Sequence, residues 1–200
     1  MKPFPFFIYF FLAASFAGIA QEKVFPSHRY FNNFDDPSKN TSFINLNTIV
    51  LSNDSSRKFV SRTDETNPFS AGLEIEIPED LKRKNFKIEV ACSVFVKPGT
   101  NNKLVISISK NESSLYWEGV QVGENQSQAN SGEVPLGETD DAQGSGKWFA
   151  LKKSSLIPGS MPVDSRVKIF IWNADGKSVT DIDDLEVTFS EVAFPSFLPQ

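Results

Sequence analysis

Cysteine and histidine each occur once, at Cys92 and His28. A lone cysteine can close no intrachain disulfide, so the fold must stand on its core. A lone histidine leaves a Ser-His-Asp triad only one candidate base, in an N-terminal stretch expected to be irregular, and no His or Cys cluster offers zinc a site. No Gly-x-Ser-x-Gly elbow occurs either. Bases do not gather into a stripe: 20 Lys and Arg are interspersed among 25 Asp and Glu, for a net charge of −5, which argues against nucleic acid as a partner. Helical periodicity is not convincing anywhere. Beyond residue 20 no apolar run approaches the roughly 20 residues that a bilayer span needs.

What is present begins with a leader. Lys2, an apolar run from Phe6 to Ala14, and the small residues Ala17, Gly18 and Ala20 before Gln21 have the anatomy of a signal peptide over residues 1–20. Position 21 is not the cysteine that a lipid anchor would use. The expected product is a secreted chain, extracellular or periplasmic, with no membrane insertion after cleavage. The remaining residues suit one domain. An irregular segment over 21–30, a β-rich domain over 31–194 and a tail over 195–200 are the expected divisions.

Short β-prone segments fill that domain, separated by Asn, Asp, Ser, Gly and Pro. Leu73-Glu74-Ile75-Glu76-Ile77 alternates strictly and is closed by Pro78. Phe86, Ile88, Val90, Cys92, Val94 and Val96 share one face of a longer strand, which predicts a central position and a buried Cys92. Further strands are expected at 46–51, 58–61, 103–109, 115–122 and 148–151. The C-terminal run Val167–Trp172, the Asp175-Gly176 turn and the return through Leu185, Val187 and Phe189 read as a closing hairpin. About ten strands without helices argue for an all-β, two-sheet antiparallel β-sandwich. Residues 123–146, dominated by Gly, Ser, Asn, Gln, Glu and Asp, are expected to be a flexible loop, either a simple excursion or a cover for a ligand.

Phe31-Asn32-Asn33-Phe34-Asp35-Asp36, Ile171-Trp172-Asn173 and Ile182-Asp183-Asp184-Leu185-Glu186-Val187 together resemble the opening and closing motifs of secreted jelly-roll modules of the galactose-binding-like, carbohydrate-binding class. The resemblance runs from end to end of the domain on short motifs. It departs in having Asp35 where such modules often carry Glu, and in lacking a small Gly-containing turn near residues 53–58. It implies a jelly roll whose first and last strands lie side by side. It also implies a structural calcium held by Asp35 with Asp183 or Asp184, Asp36 being a spare. The residues themselves allow the plainer alternative that these acids cap turns.

Sugar sites stack a pyranose on a flat aromatic ring and collect its hydroxyls with polar groups. Trp117, Trp148 and Trp172 are therefore the first candidates, with Tyr116 and Phe170. Phe170 and Trp172 point opposite to Ile169 and Ile171, which puts them on an outer face if the aliphatic side is core. An enzyme is less well served. Glu138-Thr139-Asp140-Asp141-Ala142-Gln143 approaches the Glu-x-Asp-x-x-Glu pattern of some sandwich glycosidases, but has Gln in place of the second acid. The resulting expectation is a secreted non-catalytic binding module for a polysaccharide or glycan. The alternatives are an extracellular or cell-envelope structural or adhesion protein making protein contacts and, third, a small polysaccharide-active enzyme.

Overall fold

A computed structural model describes residues 23–36, 42–97, 99–122 and 146–193. The expected signal peptide, most of the 123–146 loop and the 195–200 tail lie outside them. Among the described residues eleven strands are present, in chain order β1 (Lys23–Asn32), β2 (Phe43–Ile44), β3 (Ile49–Leu51), β4 (Phe59–Thr63), β5 (Gly72–Glu76), β6 (Phe86–Val96), β7 (Lys103–Lys110), β8 (Ser113–Gln121), β9 (Lys147–Ile157), β10 (Arg166–Trp172) and β11 (Thr180–Ala193). They form two antiparallel sheets, one of six strands in the order β3-β4-β11-β6-β9 with β1 also on β11, the other of five in the order β2-β5-β10-β7-β8. The protein is an all-β sandwich.

Period-2 alternation explains why these segments pack so. Ile88, Val90, Cys92 and Val94 from β6 and Leu185, Val187 and Phe189 from β11 line the inner face of the larger sheet. Val167, Ile169 and Ile171 from β10, with Leu104, Ile106 and Ile108 from β7, line that of the smaller one. All belong to one buried cluster. Strand β6 is interior, between β11 and β9, as its uninterrupted apolar face predicts. Cys92 is buried, and burial pushes its thiol pKa up to about 12, with a smaller contribution from Asp184, so it behaves as an inert small hydrophobe.

Two expectations are corrected. Where it is described, the 21–30 segment is not irregular: β1 runs from Lys23 and pairs with β11 from Ala193 to Leu185. Pro26 hides it from pattern reading, because the register shifts between Pro26 and His28 and interrupts the alternation. Strands β10 and β11 are not a hairpin either. They lie in different sheets, and the connection through Asp175-Gly176 crosses from one to the other. The turn itself is as expected: Gly176 has φ 66°, and the Asp175 carboxylate accepts from the backbone N–H of Lys177 and Ser178. Alternation reports which side of a strand is apolar. It is silent on which neighbour takes the hydrogen bonds, so two strands facing each other across a core look like two strands paired edge to edge.

One edge of β11 is shared. Thr180, Asp181 and Ile182 pair with β4, whereas Leu185 to Ala193 pair with β1. The changeover falls at a bulge between Asp183 and Glu186, where Asp184 has φ 52°. Here the Asn-Asn-Phe-Asp motif has a structural role. The Asn32 side chain accepts from the Phe34 backbone N–H at 2.7 Å, and Phe34, at φ 60°, turns fully into the core.

Candidate functional site

Because Val167, Ile169 and Ile171 face the core, Lys168, Phe170 and Trp172 must face outward from the smaller sheet. The registers of β10, β7 and β8 extend that face. Phe170 stands opposite Val105, which stands opposite Gly119; Trp172 is in row with Lys103 and Gln121; Lys168 is in row with Ser107 and Trp117. Three of the five aromatic candidates, Phe170, Trp172 and Trp117, therefore share one surface.

Local geometry shapes these rings into a notch. Gly119 has no Cβ, and one placed there would stand 2.5 Å from Cη2 of Trp117, so the indole lies down over the glycine. Trp117 nevertheless remains 51% exposed. Trp172 meets it edge-on, with centroids 6.5 Å apart and planes at 82°. Phe69, which bridges to Trp172 just before β5, packs its ring edge-on against Phe170 at 5.5 Å and is 43% exposed. Val105, on this outer face between Phe170 and Gly119 in register, is nevertheless 0% exposed. On the other side of Phe170, β5 comes so close at Gly72 that a Cβ would stand 2.2 Å from the Ile169 carbonyl oxygen.

Polar groups surround the notch. The Lys103 ammonium lies 5.9 Å from the Trp117 ring centroid and 6.0 Å from that of Trp172. Ser107 and Gln121 flank it in the registers given above. Glu74 on β5 is engaged by Arg166 Nε at 3.1 Å and Lys168 Nζ at 3.3 Å. An aromatic floor with hydroxyl, amide and ammonium groups at its rim can hold a sugar ring by stacking and collect its oxygens.

The other two aromatic candidates lie elsewhere. Tyr116 points inward from β8 and packs on the core cluster, donating its hydroxyl to Glu118 at 2.6 Å. Glu118 also takes Ser155 Oγ at 2.5 Å and Lys153 Nζ at 2.6 Å from β9, tying the two sheets together. Burial opposes ionisation of Glu118, but these three donors outweigh it and hold its pKa low. Trp148 sits on the outer face of the larger sheet, beside Phe95. Arg57 covers its ring, with Cζ 4.1 Å from the centroid. That sheet also carries a shallow trough of about 460 Å³, lined by residues including Glu89, Ala91, Lys152, Ser154, Glu186 and Thr188. None of its described lining residues is aromatic, so it offers a sugar no stacking surface.

The acids assigned to calcium by resemblance meet a guanidinium. Arg57 Nη1 reaches Asp183 Oδ2 at 2.5 Å and Asp184 Oδ2 at 3.0 Å. Asp35, exposed just beyond β1, accepts from the Asn33 amide at 3.3 Å. Calcium takes six to eight oxygens. Among the described residues no group of three or more His, Cys, Asp or Glu side chains is placed to hold a metal ion. In this arrangement the acids do not fit calcium; Arg57 supplies the positive charge.

Burial dominates the titration of Asp183, raising its pKa from an ordinary 3.8 to about 6, with Asp184 adding to the rise and Arg57 and the Asp184 N–H opposing it. A carboxyl with a raised folded-state pKa stabilises fully below its unfolded value, and that contribution is lost as pH rises through the folded value. Stability should therefore fall by as much as about 3 kcal/mol from this group between pH 4 and pH 7. Asp183→Asn should flatten that decline in urea titrations at a series of pH values; an unchanged slope would show that Asp183 is not its source.

Sequence reasoning passed over Phe69, Lys103, Val105 and Gly119. The parity of β7 would have placed Lys103 and Val105 on the outer face, but only the register to β8 and β10 shows that this face is aromatic.

No family model matches the chain, and no curated protein does. Solved structures are similar in fold. One is the CBM22-1 xylan-binding domain from Paenibacillus barcinonensis Xyn10C, 10% identical, covering 82% of this chain and 95% of that one, with a TM-score of 0.42. Another is TmCBM61 in complex with beta-1,4-galactotriose, 11% identical over 84% of this chain and 88% of that one, with a TM-score of 0.34. A third is the pair of CBM22-1 and GH10 modules of Clostridium thermocellum endo-1,4-beta-D-xylanase 10B, complexed with xylohexaose. It is 17% identical over 80% of this chain and 27% of that one, with a TM-score of 0.35. The chain is an all-β, two-sheet sandwich, and these matches to carbohydrate-binding modules all have TM-scores below 0.5.

Proposed function

We propose that this chain is a secreted, non-catalytic module that binds carbohydrate on the outer face of its five-stranded sheet. Trp117 is the main stacking ring, with Trp172 and Phe170 beside it. The observation that carries the reading is the Trp117 indole, laid over Gly119, half exposed, with Trp172 and the Lys103 ammonium beside it. A ring whose only role was to fill a core would not leave half its surface in water beside an edge-on partner. A small ligand contact of this kind gives weak affinity per sugar, so polymeric ligands suit it best.

The test is a pull-down of residues 21–200 against insoluble and soluble polysaccharides, with tryptophan fluorescence as a second readout, in calcium and again with a chelator. Binding with a fluorescence change is the expected result. Because Arg57 already bridges Asp183 and Asp184, the chelator is expected to alter neither binding nor melting. A folded protein that binds none of the panel would overturn the carbohydrate reading and leave the aromatic notch as a protein contact.

A further inference from the structure

Resting on the carbohydrate reading, we infer that the ligand of the aromatic notch is an anionic polysaccharide, recognised by Lys103 through a carboxylate or sulfate group. Charges on this face decide the matter. Glu74 and Glu76 on β5 stand against Lys168 and Arg166 on β10, paired in register, and Glu74 bridges both cations. Those four charges cancel. Lys103, in the next strand, has no carboxylate partner among the described residues; its contacts there are the two indole rings.

Both ring distances lie at the outer limit of a cation–π contact, about 6 Å, so the rings position the ammonium without consuming its donors. Three N–H groups remain for a ligand. Lys103 is a partly buried residue with its ammonium beside two apolar rings, where a charge-assisted hydrogen bond is stronger than in bulk water. A sugar whose ring stacks on Trp117 would bring an equatorial or exocyclic acid group toward Lys103. The chain as a whole carries a net charge of −5, so a diffuse attraction for polyanions is absent and any preference for them must come from this local positive centre.

Affinity electrophoresis should compare a neutral set (xylan, galactan) with a uronate set (polygalacturonate, alginate) and a sulfated set (dextran sulfate), at low and high salt. The expected result is preferential binding to one or both anionic sets, weakened by salt. Lys103→Met, which keeps the stem over the rings but removes the charge, should lower that affinity about tenfold while leaving the melting temperature unchanged. The uronate and sulfate arms separate the two sources of charge. Binding to neutral glycans that depends on Trp117 but is indifferent to Lys103→Met and to salt would sink the anionic inference and keep the carbohydrate reading. Absence of binding to all three sets would sink both.

Discussion

Arg57→Ala is expected to destabilise the protein by about 3–5 kcal/mol at pH 7.5. The Arg57 side chain is 16% exposed and pairs with that of Asp183, itself 8% exposed, so its removal leaves a buried carboxylate without its counter-charge. It also uncovers Trp148, on whose ring it stacks. The first of these losses falls at the bulge where β11 changes partner from β4 to β1. The cost should shrink on acidification toward pH 5, because Asp183, with its pKa pushed up to about 6, then takes a proton and needs no counter-charge. Urea denaturation of both proteins at the two pH values measures this. A loss below about 1 kcal/mol at pH 7.5 would mean that Arg57 acts as an ordinary surface ion pair.

The second large effect is on binding. Trp117→Ala should weaken affinity for the bound glycan about 30-fold, on the order of 2 kcal/mol, as expected of a central tryptophan in a contact surface. Stability should fall by only about 1 kcal/mol, the cost of partly uncovering Val105. Trp148→Ala should behave oppositely, lowering stability through the lost support of Arg57 while leaving affinity intact. Isothermal titration paired with thermal melts separates the two. If the tryptophan variants lose stability alike and binding alike, the notch is not the site.

Much of this architecture could be read from residue order because burial imposes a period of two. The face Phe86 to Val96, the closure of β5 at Pro78 and the outward placement of Phe170 and Trp172 all follow from it. Three things did not follow. A proline-broken alternation concealed β1. Pairing across the sandwich was read as pairing along an edge for β10 and β11. The acids of the Ile-Asp-Asp-Leu motif were matched by resemblance to a cation, whereas the partner that reaches them, Arg57, lies 126 residues away from Asp183 in the chain. At the site, tryptophan content named Trp117, Trp148 and Trp172 as candidates, and the structure brings Trp117 and Trp172 together while Trp148 lies on the other sheet. Which tryptophans share a surface depends on inter-strand register, a long-range property that no local window contains.

The divided edge of β11 also bears on how the chain comes to its native state. Strand β11 holds β1, β4 and β6 in one sheet. Before β11 docks, β1 has no strand partner among the described residues and β6 lacks a neighbour on one side. Contacts between β1 and β11 close a loop of nearly the whole domain, an entropic penalty incurred before their pairing gives any return. Folding should consequently be slow and late, with β6 and β9 able to pair early and the six-stranded sheet completed only when the C-terminal strand inserts between partners already in place.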